Sequence, residues 1–311
     1  MIDDRSRAWP LDADAAVVIA ADVTAGRRSA ADVVRDHVAR HAAAHHELNA
    51  LVQPRHEAAL MEAAGIDRGL LAGVPVSVKE CFPVRGLRTT LGVPGLGAVP
   101  DSHDADVVTR LRAAGGIIVG KSNVPQAMYL HETDNPVYGR TNHPWLADRG
   151  PGGSSGGDAA LVAARVVTLA VGNDLAGSLR QPAHACGIAA IVPRSGVLGE
   201  GGAVDNLPSL RAMRPRAGFL ARHVADLELA LAAVTGSTMA QDAPVRRIGW
   251  WDTTGPIPAS PAIRRGVAEA VARLTGAGVE TVPLSGAVAD DAAWLHLAIL
   301  SADGGGDIKR L

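Results

Sequence analysis

Two serines and a lysine hold the settings in this chain best suited to chemistry. Lys79 ends an apolar run that starts at Val74, Ser154 lies inside the hexapeptide Gly152-Gly-Ser-Ser-Gly-Gly157, and Ser178 lies inside Asp174-Leu-Ala-Gly-Ser-Leu-Arg180. The spacings are 154 − 79 = 75 and 178 − 154 = 24 residues. A lysine among apolar neighbours gives up its proton readily and can then act as a base. A serine hydroxyl is a weak nucleophile until such a base takes its proton. Glycine lets the backbone make strained turns and bring N–H groups close to a substrate. Together these features read as a serine hydrolase that works without histidine.

Three competing motifs fail on their context. Gly115-x4-Gly120-Lys121-Ser122 satisfies the phosphate-loop pattern, which needs a strand before a pliable loop and a helix after it. Here a helix precedes, the intervening residues Gly-Ile-Ile-Val are themselves strand material, and Asn123-Val124-Pro125 interrupts any following helix. Both Ser154 and Ser155 fit G-x-S-x-G, but that elbow must follow a strand, whereas the residues from Asp148 to Gly153 are turn-forming. His37, His41 and His45 share a helix face by their spacing. Zinc would need more ligands than these, so the expectation is a polar outer face, with no metal and no cofactor.

The elements around the three residues suggest an α/β sandwich. Helices are expected over 12–26, over 30–46 with Ser29 as N-cap, and over 104–114, 155–166, 179–185, 221–234, 262–274 and 292–300. Strands are expected over 74–79, 117–119, 167–171, 247–251 and 279–282. Residues 131–153 and 194–216 are rich in Gly and Pro and read as coil. This alternation suits crossover connections. No repeat or linker divides the chain, so a single domain over 1–311 is expected. Hydrophobic residues make up 47% of the 311, enough for a large core. A net charge of −2 with 20% charged residues offers no basic surface for nucleic acid or an anionic membrane. No apolar run reaches 18 residues and no leader pattern opens the chain. Two cysteines, Cys81 and Cys186, suit buried thiols in a reducing cytoplasm.

At these same motifs the chain resembles the amidase signature family. Leu71 to Glu80 is similar to its lysine strand, and Ala113 to Pro125 to its second strand and turn. Thr133 to Gly139, Asn142 to Trp145, and Gly218 to Leu227 are similar to segments flanking its glycine-serine hexapeptide. The resemblance implies an amidase-signature fold, a central mixed β-sheet with helices on both faces. It also implies hydrolysis of a small-molecule carboxylic amide through an acyl-enzyme on Ser178. Ser154 would relay the proton to Lys79, and the Gly153–Ser154 peptide would be cis. The backbone N–H groups of Leu175, Ala176, Gly177 and Ser178 would form the oxyanion hole, supported by Ser155, Asp174 and Arg180. The base must be desolvated, with Val76, Val78 and Phe82 as its expected neighbours.

The chain departs from the family pattern in places. Ala176 replaces a usual glycine, which is tolerable where its φ is negative. Family members run longer, so the C-terminal part of the sheet is expected to be missing, and the last stretch, from Ser301 to Leu311, which an apolar helix over 292–300 runs straight into, reads as a break. A second expectation follows: a catalytically degenerate or partner-dependent member, including a glutaminyl/glutamyl-tRNA amidotransferase A-type subunit. A homodimer is compatible with the sequence, which leaves oligomeric state and the amide substrate unread.

Overall fold

Short β-branched runs set between glycines make the strands, and alanine-rich amphipathic segments make the helices that cover them. The structure is a computed structural model and describes residues 11–237, 245–252, 258–286 and 291–311. The chain begins with α1 (Ala16–Thr24), α2 (Ala30–Leu48), β1 (Leu51–Pro54), α3 (His56–Ala63) and β2 (Pro75–Lys79). It continues with α4 (Asp106–Ala113), β3 (Ile117–Ser122), a short tight helical turn (Gln126–Met128), α5 (Gly156–Ala163), β4 (Leu169–Asp174) and α6 (Arg180–Cys186). Next come β5 (Ala189–Ile191), β6 (Arg216–Ala221) and α7 (Val224–Thr235), then β7 (Arg247–Trp250), α8 (Pro261–Gly276), β8 (Glu280–Pro283), α9 (Ala292–Leu300) and α10 (Gly306–Arg310).

The chain, read from sequence as one domain, divides into two compact units, the first with β1–β6 and α1–α7, the second with β7, β8 and α8–α10. The first unit is built on a six-stranded mixed sheet in the order β1-β3-β2-β4-β6-β5. Its centre is parallel, β3 with β2 and β2 with β4, while β1, β6 and β5 pair antiparallel. Every residue of β2, β3 and β4 is buried, which requires helices over both faces of the sheet. Alternation along β2 turns Ser77 and Lys79 to the face under α5 and Val76 and Val78 to the opposite one.

In the second unit β7 and β8 pair parallel with α8 between them, as the βαβ reading expected. Ser260 caps α8 by accepting the Ile263 N–H at 3.4 Å, with proline in the first turn. No residue of α8 or α9 is buried, and α9 exposes Trp294, Leu295 and Leu297.

One expectation is corrected here. The histidine face of α2 points inward: His37 and His41 are both buried. A 3.6-residue period keeps them in phase with Val33 and Val34. His37 is satisfied by the Val33 carbonyl at 2.8 Å and the Thr168 hydroxyl at 3.2 Å, and His41 stacks near His45 and His56. The phosphate-loop look-alike is strand, as its context led us to expect. Its Lys121 and Ser122 belong to β3, and the Lys121 amine donates to the Arg88 carbonyl and the Thr89 hydroxyl, both at 2.7 Å.

Candidate active site

The parallel strands β2 and β4 lie side by side, in register from Val76↔Leu169 to Val78↔Val171, and deliver Lys79 and Asp174 from neighbouring carboxyl ends. The glycine-serine hexapeptide runs between the coil of 131–153 and α5. Its Gly153–Ser154 peptide is cis. The Lys79 amine donates to the Ser154 hydroxyl at 2.7 Å and to the Asn173 side-chain oxygen at 2.7 Å. Ser178 follows β4 by a short turn, and its carbonyl accepts the Ser155 N–H at 3.0 Å. The structure thus ties the Ser178 backbone to the residue after Ser154. Lys79 is fully enclosed and Ser154 is 2% exposed, so Ser178, at 8%, is the member of the three most open to an incoming molecule.

Burial pushes the Lys79 amine below its ordinary value, against Cys81, Asp158 and Asp174, which favour the ammonium. The apolar neighbours expected from sequence do not all provide that burial. Val76 and Val78 point away from the amine because side chains alternate along a strand. The amine is enclosed instead beneath α5 and the hexapeptide, among Ser154, Asn173 and Asp158.

Asp174 organises the turn that carries Ser178. Its Oδ1 accepts from the Gly177 N–H at 2.9 Å and from Arg180 at 2.7 Å, and its Oδ2 accepts from the Leu179 N–H at 3.0 Å. Burial alone would raise this carboxyl, but Arg180 and the two N–H groups hold it at about 2. It is therefore a permanent carboxylate brace, with Arg180 as its cation. Gly177, at φ +109°, takes a conformation that favours glycine. Its N–H is engaged by Asp174, so of the four expected oxyanion donors Gly177 is not free. The short span from Asp174 to Gly177 closes that bond. Among the described residues no acceptor takes the N–H of Leu175, Ala176 or Ser178. Ala176 is exposed and is not among the residues with positive φ, so its methyl group meets the condition set for it.

Several site residues escaped the sequence reading. Asn173 is the second partner of Lys79. Thr133 donates to the Gly152 carbonyl at 2.7 Å, and Gln181 accepts the Gly153 N–H at 2.9 Å, so the two clamp the hexapeptide. Ser77 donates to Asp158 at 2.7 Å beneath Lys79. A signal existed for two of them: Ser77 stands two positions before Lys79 in a strand, and Asp158 is the lone charge in an otherwise apolar helix. Nothing local in the sequence marks Thr133 or Gln181. Ser155 packs where a Cβ on Gly172 would meet its hydroxyl at 2.7 Å, which ties the loop to β4.

Fold and site define an α/β protein with a buried lysine bonded to a serine under a glycine-built loop, and no metal-binding cluster among its described residues. The chain belongs to the amidase family, whose model matches residues 32–311. Over 259 residues (79% of the chain) it is 39% identical to the indoleacetamide hydrolase of Bradyrhizobium diazoefficiens, of which it covers 48%. Over 229 residues (71% of the chain) it is 39% identical to the A-type subunit of the glutamyl-tRNA(Gln) amidotransferase of Acidothermus cellulolyticus, of which it covers 45%. A solved fatty acid amide hydrolase superposes with a TM-score of 0.86 at 25% identity, over 94% of this chain and 56% of that one. The chain spans about half the length of the curated relatives it matches.

Proposed function

We propose that the protein hydrolyses a carboxylic amide to an acid and ammonia or an amine, with Ser178 as nucleophile, Ser154 as proton relay and Lys79 as base. The observation that carries this reading is the 2.7 Å contact between an enclosed lysine amine and the Ser154 hydroxyl. A neutral amine there accepts the hydroxyl proton of Ser154, which in turn takes that of Ser178 as the latter attacks the amide carbonyl. The tetrahedral oxyanion is met by the unengaged N–H groups of Leu175, Ala176 and Ser178, each effective donor contributing roughly 3 kcal/mol. Lys79 returns its proton through Ser154 to the leaving nitrogen, and water then hydrolyses the ester on Ser178. Likeness to an indoleacetamide hydrolase and to a fatty acid amide hydrolase supports amide hydrolysis as the reaction class.

The thiols of Cys81 and Cys186 are buried and unbridged, and burial pushes both up to about 12, which suits a reducing, cytoplasmic setting. No helix among the described residues is long and apolar enough to cross a membrane.

The decisive experiment is Ser178→Ala tested over acetamide, benzamide, a fatty amide and a peptide amide. Turnover of any amide by the wild type should vanish in the variant while its circular dichroism and melting stay unchanged; retained turnover refutes the assignment. A second reading is a protein that works only with a partner, favoured by the equal identity to an amidotransferase component. It predicts that Ser178 reacts with a fluorophosphonate only after a partner chain is added.

A further inference from the structure

Asp158 is a buried acid for which the hydrolysis scheme has no use. It stands in the first turn of α5, three residues after Ser155, and is fully enclosed. Its Oδ1 accepts the Ser77 hydroxyl at 2.7 Å. No well-formed hydrogen bond reaches its Oδ2 among the described residues, nor the Ser122 hydroxyl beside it. Ser77 precedes Lys79 by two positions on β2, and Ser122 is the register partner of Lys79 on β3. Strand parity therefore turns all three side chains to the face that α5 covers, the same face to which α5 presents Asp158. A buried carboxylate with one poorly paired oxygen is costly unless charge or a proton compensates it.

We propose that Asp158 is a positioning residue for the base, its carboxyl and the Lys79 amine forming one enclosed acid–base pair that titrates as a unit; this rests on the hydrolysis reading of the site. With one proton between them, the pair exchanges carboxylic acid plus amine for carboxylate plus ammonium. The proton that leaves one group is the proton the other gains. Only the first arrangement leaves the amine a lone pair for Ser154. Burial pushes the Asp158 carboxyl up to about 7, opposed by the Ser77 and Ser122 hydroxyls and the positive charge of Lys79, while burial pushes the amine down. The two groups are thus driven toward each other's range, where coupled titration is expected.

The other titratable groups around the pair are Cys81 just beyond β2, Asp174 at the end of β4 with its partner Arg180, and Glu80 and Lys121 on the opposite side of the sheet. Cys81 stays a neutral thiol, pushed up by burial to about 12. Asp174 stays a carboxylate at about 2. Neither changes charge in the range where the pair does.

Asp158→Asn preserves shape and an acceptor for Ser77 but removes charge and titration. The rate of fluorophosphonate labelling at Ser178, followed against pH, should show its acid limb about one pH unit lower in the variant than in the wild type. Superimposable limbs in a folded variant overturn the proposal. Should Asp158→Asn fail to fold, Asp158→Ser gives the same comparison. Isotope-labelled aspartate NMR supplies an independent readout. One aspartate of the wild type should titrate near neutrality, and its midpoint should rise in Lys79→Met because the positive charge is gone. An unmoved midpoint overturns the pair. Absence of labelling at every pH in the wild type would retire the hydrolysis reading instead, leaving the NMR coupling to decide the pair.

Discussion

Lys79 is a fully enclosed side chain of the sheet and a group that the proposed scheme needs uncharged. Its amine has two short contacts, to Ser154 and to the Asn173 side chain. In the proposed scheme only the first lies on the proton path, and the second orients the amine. Asn173→Ala should therefore lower kcat by roughly tenfold to a hundredfold with KM little changed, because base function contributes about that much or more. Steady-state kinetics on any turned-over amide provides the check, and an unchanged kcat would remove Asn173 from the site. The pH dependence has a definite sign. Burial lowers the lysine below its ordinary value, and since the proposed scheme uses the neutral amine, the rate should fall as acid protonates it. Much of this was legible beforehand. Lys79, Ser154 and Ser178 could be picked out by their settings, and Asp174 and Arg180 as loop braces. Asn173, Thr133 and Gln181 could not, because their roles arise from contacts with residues 94, 19 and 28 positions away.

Among the elements, the hexapeptide and α5 show how closely backbone must approach backbone for the site to exist. A Cβ on Gly157 would stand 2.4 Å from the Asn123 nitrogen and 2.6 Å from its oxygen. Neither backbone atom can yield as a side chain would. Gly157→Ala should cost about 3 kcal/mol or more of stability, at the upper end of overpacking effects. Urea denaturation compares it with the wild type, and a cost below about 0.5 kcal/mol would contradict the packing described. Sequence patterns located the helices and strands of this region to within a few residues, since their apolar periods are clean. Along the chain they missed the helices α3 and α10 and the strands β1, β5 and β6. Leu51–Pro54 ends in a proline, Ala189–Ile191 has only three residues, and Arg216–Ala221 carries Gly218, whose Cβ position lies 2.2 Å from the Ile191 carbonyl. Such strands are specified by their neighbours rather than by their own propensity.

On the scale of the whole molecule, the buried histidines of α2 link stability to acidity. Burial holds His37 at about 4, against 6.5 for an ordinary histidine. The unfolded chain binds this proton first, so stability is complete above pH 6.5 and falls as the pH drops from there through about 4. The loss approaches about 3 kcal/mol for this residue, at about 1.4 kcal/mol per pKa unit. His41 is lowered in the same direction. Urea unfolding at pH 7.5 and pH 4.5 should expose the difference, and His37→Gln should reduce it; equal stability at both pH values would show that the imidazole is not held neutral.

The sheet holds one lysine on each side, a single step apart. Val78 stands opposite Lys121 and Lys79 opposite Ser122, so odd or even count along β2 decides which compartment receives an amine. Adding one residue between Pro75 and Lys79 would turn Lys79 to the side of Lys121 and leave Ser154 without its amine partner. The arithmetic of the strand, as much as the identity of its last residue, is thus part of how the proposed site is built.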